Sequence, residues 1–170
     1  ELNMDDFKNK AKIDFVSFFG QFIDKLLALF PDCAESQDAK IYFDGVVKPS
    51  DAKLDDMLDA WRRNVHAPLS KKVKYQKAIE RLTHRAGTIY HACAYNDIDA
   101  LDFSCNSDML RKVDVIGKYR SGVMDDDSKT LFWKYLCELN DLCLKVYEER
   151  PPHVPTRADI QENIKSRRSS

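Results

Sequence analysis

No stretch of this chain is apolar over the roughly 18 residues that a membrane-spanning helix needs. The richest run, Phe15 to Phe30, is broken by Gln21, Asp24 and Lys25 and reads as a core helix. Glycine (5) and proline (6) are too scarce in 170 residues for a collagen-like or low-complexity chain. The five cysteines, Cys33, Cys93, Cys105, Cys137 and Cys143, are odd in number, widely spaced and free of any CxxC pair. A secreted disulfide framework is therefore not expected, and a reducing, intracellular setting is. Charge of one sign is lacking too: 27 Lys and Arg face 28 Asp and Glu, a formal net charge of -1. The chain as a whole has no reason to seek a polyanion or an anionic membrane, so any charge-driven binding must be local. The N-terminus has no basic region followed by an apolar one, and no targeting segment is expected from it.

Catalytic signatures are also missing. The sequence has no GxSxG, no GxxxxGK[ST], no GxGxxG and no HExxH, so hydrolase, nucleotide-binding and metalloprotease readings lack a starting point. Five cysteines and four histidines would suffice for a metal site, but their spacing does not fit one. At about 100° per residue, His91 and Cys93 lie roughly 200° apart on a helix, and Cys137 and Cys143 about 120° apart. Cys93 and Cys143 read as small core residues. A cysteine paired with His66, His84 or His91 would be needed for a nucleophilic site, and no motif joins them. The acidic clusters have simple readings: Asp55, Asp56 and Asp59 as a solvated face, Asp125 to Asp127 as helix-start chemistry. We therefore expect no catalytic residue, metal, cofactor or small-molecule substrate.

What the sequence does have is helical periodicity. Phe7, Ala11, Phe15, Phe18, Phe22, Leu26 and Leu29 recur along one stripe, widened by Phe19, Ile23 and Phe30, and Pro31 stops the helix. A weaker helix is expected from Asp32 to Val47. Ser50 caps a helix whose stripe is Leu54, Leu58, Trp61 and Val65, ended by His66-Ala67-Pro68. Ser70 caps a long helix to Tyr95, followed by a polar break at Asn96-Asp97 and a short apolar patch from Ile98 to Phe103. Further helices are expected over Ser107 to Lys118, with a turn over Tyr119 to Gly122, and over Ser128 to Glu149. The last has Phe132, Tyr135, Leu136, Leu139, Leu142, Cys143, Val146 and Tyr147 on its core side. No strand survives this reading. The expected architecture is all-α, a single bundle-like globular domain of about six helices over residues 1–150. Residues 151–170 then form a Pro-rich linker with a short polar, basic C-terminal helix or tail.

Two features point to binding. From Ser70 to Arg85 six basic residues stand against Glu80 alone, and Lys71, Lys74, Lys77, Arg81 and Arg85 share one sector beside the apolar stripe. Such a ridge can track phosphates or meet an acidic patch on another protein, with Arg62 and Arg63 close by; its plain reading is a solvated helix face. Trp133 projects at least about 60° from the core stripe of its helix, together with Cys137 and Leu144. It is either covered by a further helix, which widens the buried face, or a contact point for a partner.

Several fragments form a recognisable set. They are the Phe-rich first helix ending Leu29-Phe30-Pro31-Asp32-Cys33, the Trp-ending helix after Pro49, the patch Ile98-Asp99-Ala100-Leu101-Asp102-Phe103, and Ser128-Lys129-Thr130-Leu131-Phe132-Trp133-Lys134-Tyr135-Leu136. In this order, over Phe15 to Tyr147, the chain resembles a group of uncharacterised all-helical proteins of large DNA viruses of algae and protists. The resemblance implies a viral origin and a place in the host cytoplasm or the virion, and carries over no catalytic residue. The expected function is a non-enzymatic interaction or structural role, binding another protein through a helical surface. The alternative is a nucleic-acid-binding module that uses Lys71 to Arg85.

Overall fold

The computed structural model describes residues 3–66, 89–105 and 107–151, together with Ala158, Glu162 and Lys165. Among these residues there are eight α-helices, one π-helical turn and no strand, so the all-α expectation holds.

Helix α1 (Met4–Leu29) starts where the Asn3 side chain accepts the Asp6 N–H at 2.9 Å. Asp5 and Asp6 add negative charge to the positive end of the helix dipole. Its buried face is Ala11, Phe15, Phe19, Phe22, Ile23 and Leu26. Phe7, expected on that stripe, is 41% exposed: the buried stripe begins one turn later, at Ala11. After Pro31 the chain turns into α2 (Ala34–Tyr42), held to α1 by Lys40 Nζ at 2.5 Å from Asp24. The expected helix to Val47 does not run evenly. Its end is a π-helical turn, Phe43–Val47, closed by the Lys48 N–H donating to the Phe43 carbonyl at 2.8 Å. Gly20 makes room for this turn, since a β-carbon there would stand 3.3 Å from Cε1 of Phe43.

Helix α3 (Asp51–Val65) has the expected Ser50 cap, at 3.3 Å from the Lys53 N–H, and the expected stripe. Leu54, Leu58, Trp61 and Val65 are all buried. The last two turns of the expected long helix form α4 (Ile89–Tyr95). Its end is Asn96, at φ 49°. The apolar patch that follows is a helix, α5 (Ile98–Ser104), because Asp97 Oδ1 accepts the N–H groups of Asp99 and Ala100 at 3.0 and 3.1 Å.

The single helix expected over Ser107 to Lys118 is two, α6 (Asp108–Val113) and α7 (Val115–Arg120). Asp114 separates them at φ 55°, ψ 47°, a left-handed conformation that ends α6, while its carboxylate accepts the Gly117 N–H at 3.2 Å and starts α7. Helix α7 includes Tyr119 and Arg120, and the turn comes later, at Ser121-Gly122 with Gly122 at φ 80°. Helix α8 (Asp126–Val146) starts two residues before the expected Ser128, because Asp125 itself is the cap and accepts the Ser128 N–H at 2.7 Å.

The longest interface is between α1 and α8. Phe22 meets Phe132 and Tyr135, both at ring-centroid distances of 6.0 Å, and Phe18 meets Tyr135 at 6.1 Å. Trp61 of α3 enters edge-on against Phe15 (6.1 Å) and Phe19 (5.9 Å). The buried apolar side chains of these helices and of α4 to α7 form one contiguous cluster. At one margin Arg120 pairs with Asp99 and Asp102, and Arg111 donates to the carbonyls of Asp102 and Cys105, tying α5 to α6 and α7.

Candidate interaction surface

Five residues of the expected binding ridge, Lys71, Lys74, Lys77, Arg81 and Arg85, lie outside the described residues, as do Arg167 and Arg168 of the tail. Arg62 and Arg63 are described, and both are engaged. Arg62 pairs with Glu149 and stacks 4.9 Å above the Tyr147 ring; Arg63 sits 3.3 Å from Asp59. His66 Nε2 is 2.6 Å from the other oxygen of Glu149, so one carboxylate beyond α8 gathers two side chains from the end of α3.

Trp133 is the described member of the candidate set, and it is a core residue rather than a surface contact. It is 4% exposed, its indole N–H donates to Tyr119 Oη at 2.9 Å, and its ring lies edge-on to Phe132 and Tyr119. Helix α7 is the element that covers it. Leu144 is buried and Cys137 half-buried, so α8 is apolar beyond the face that meets α1: it also packs on α3 and α4, and Tyr119 of α7 reaches its Trp133.

The acidic clusters do structural work. Asp55 holds Lys12 at 2.6 Å, linking α3 to α1, and Asp59 holds Arg63. Asp125 is the α8 cap, and the bonds it accepts from Ser128 hold its carboxyl below the usual range. Among the described residues no three His, Cys, Asp or Glu side chains group as metal ligands. The crevice between α1 and α8 lined by Phe22, Leu26, Met124 and Leu131 has a volume of about 10 Å³, room for one water and not for a substrate.

Two features were not anticipated. The first is an apolar surface on α2 and the π-helical turn. Ile41 is 70%, Tyr42 54% and Val46 42% exposed, while Phe43 and Val47 of the same segment are buried. Positions 41, 42, 45 and 46 lie side by side on a helical surface, and at Gly45 there is open space for a β-carbon. The signal in the sequence is the apolar run Ile41-Tyr42-Phe43 followed by Val46-Val47, which has more apolar side chains than one face can bury.

The second is a polar chain inside the core. Trp61 Nε1 donates to Asn140 Oδ1 at 2.8 Å, and Asn140 Nδ2 donates to Cys93 Sγ at 3.3 Å. Cys137, one turn before Asn140 on α8, reaches the Cys93 carbonyl with its sulfur at 3.7 Å. The neighbouring Cys137 thiol and burial push the Cys93 thiol well above its ordinary range. Asn140 gives no sequence signal beyond its place on the buried side of an amphipathic helix. Comparison with protein-family models, curated proteins and solved structures finds no match to this chain.

Proposed function

We propose that this protein is a non-enzymatic interaction or structural component that binds another protein through a helical surface. The observation that carries this reading is the exposed apolar surface of Ile41, Tyr42 and Val46. Large apolar side chains clustered on a surface mark contact sites more often than singly scattered ones do. They span the end of α2 and the π-helical turn that carries Val46, a local departure from α-helical geometry of a kind that recurs at functional positions. The turn is held from behind by Phe43, packed on Phe19 at 5.2 Å, and by Lys40, bound to Asp24 and Asp44. The surface is thus presented on a fixed support, which lowers the ordering cost of binding. A virion-associated, intracellular setting extends this reading along the viral resemblance.

The test is the double variant Ile41→Lys/Val46→Lys. Both positions face outward, so the variant folds as the wild type does, and it loses a protein that co-purifies stoichiometrically with the wild type. Equal recovery of that protein by both chains refutes the surface.

The second reading, a nucleic-acid-binding module, rests on the run of basic residues from Lys71 to Arg85. Reversing the charge of Lys74, Lys77 and Arg81 would then weaken binding to duplex or single-stranded nucleic acid and flatten its salt dependence. An unchanged slope removes that reading.

A further inference from the structure

Gly45 has no reason within its own chain to be glycine. Its φ is not in the left-handed region, where Gly122 lies. No atom of the described residues comes within 4 Å of where its β-carbon would stand, so it clears no internal contact either. A glycine in a helical turn loses more backbone entropy on folding than any other residue, and what it offers in return is a place where another group can come close to the backbone. This one lies in the middle of the exposed apolar surface, beside Ile41, Tyr42 and Val46, and the buried Phe43 and Val47 hold it from behind. We propose that this surface pairs with the same surface of a second copy of the chain. The two segments run antiparallel about a twofold axis, and Tyr42 of each copy packs over Gly45 of the other. The pairing rests on the binding role proposed for this surface and names its partner.

A twofold interface uses one patch on both subunits, so the patch must complement itself. In an antiparallel pair, residues equally far from the centre of the patch, between positions 43 and 44, face each other. Tyr42, more than half exposed, then meets the gap at Gly45, and Ile41 meets Val46. A parallel pair would instead set Tyr42 against Tyr42 and leave both gaps empty. The charges at the two ends of the patch select the same direction. Asp38, one turn before Tyr42, and Lys48, two residues after Val46, are both exposed. Among the described residues neither has an ion-pair partner, whereas Lys40 is already held by Asp24 and Asp44. The antiparallel arrangement brings Asp38 of each copy toward Lys48 of the other; the parallel one puts like charges together, which costs affinity.

The experiment is sedimentation velocity on the reduced full chain from about 1 to 300 μM, a range that brackets micromolar association. The expected result is a mass that rises from the monomer to twice the monomer and stops there, since a twofold contact closes on itself. Gly45→Leu has room to fold but fills the gap, and it should raise the dissociation constant at least about tenfold. Tyr42→Ala, which removes the other half of the contact, should do the same. Asp38→Lys and Lys48→Asp each bring like charges together and should weaken the dimer about three- to tenfold. An equimolar mixture of those two variants should recover wild-type affinity, because each then offers the charge that the other needs. A chain that stays monomeric throughout overturns the proposal, as does a dimer that neither Gly45→Leu nor Tyr42→Ala weakens. A mixture of the charge variants no tighter than either alone overturns it as well. A monomeric chain that loses a different co-purifying protein with Ile41→Lys/Val46→Lys overturns the second copy and leaves the binding role standing.

Discussion

Asn140 shows what one side chain does in this core. Its carbonyl takes the only N–H of the Trp61 indole and its amide reaches Cys93, so it joins α3, α8 and α4 at a fully buried point. Replacing it by Leu leaves the Trp61 N–H buried without an acceptor, which costs about 1–3 kcal/mol. Urea unfolding of Asn140→Leu should show that loss, and adding Trp61→Phe should recover part of it. Additive losses in the double variant would mean that the hydrogen bond carries no coupling. Gly117 offers a second case. A β-carbon there would stand 2.3 Å from Asp114 Oδ2, so Gly117→Ala must push away the carboxylate that starts α7. A helix cap is worth about 0.5–2 kcal/mol, and a loss of that size is expected in urea unfolding. Gly45→Ala, placed in open space, should instead gain up to about 1 kcal/mol.

At the scale of elements, most boundaries follow from polar residues that bind the first free N–H groups. Ser50 was legible as a cap because an apolar stripe with helical spacing follows it. Asp97 and Asp114 were not, since an acidic residue inside a polar stretch looks the same whether it breaks a helix or lies on its surface. Asp114 does both jobs, ending α6 in a left-handed conformation and capping α7, and so one expected helix is two. The buried face of α1 was legible to within a few positions, but Phe7 was not separable from it: periodicity says which side faces inward, not where the cover stops. Asp125 gives α8 a pH dependence. Its carboxyl is held below the ordinary range by the bonds from Ser128, so its contribution is complete above the unfolded-state value of about 3.9 and is lost as pH falls through the lower folded value. Asp125→Ala should therefore lower the thermal midpoint at pH 7, and the gap to wild type should close in acid. A gap that persists below pH 2 would show that the cap acts through something other than the charged carboxylate.

Across the whole molecule, α1, α3 and α8 meet through aromatic side chains at one place. Phe15 is fully buried between Phe19 and Trp61, and Phe15→Ala should cost about 3–5 kcal/mol in urea unfolding. A loss below about 1 kcal/mol would contradict a core centred there. The all-α class and the helices α1, α3 and α8 were legible because amphipathic patterns average over many residues; most of the other long helix expected in the core, Ser70 to Tyr95, lies outside the described residues. The candidate site was less so. Trp133 projects off the stripe that faces α1, and only the position of α7 makes it a core residue. The apolar surface of Ile41, Tyr42 and Val46 escaped notice because a π-helical turn shifts the periodicity by which faces are read. Binding through that surface is the central claim, and it is tested most directly by quantitative mass spectrometry of what co-purifies with the tagged chain from the cells that make it, with and without nuclease. The expected result is a stoichiometric protein that survives nuclease and is lost with Ile41→Lys/Val46→Lys. Recovery of nucleic acid alone, with every protein lost after nuclease, would contradict it and move the functional site to Lys71 to Arg85.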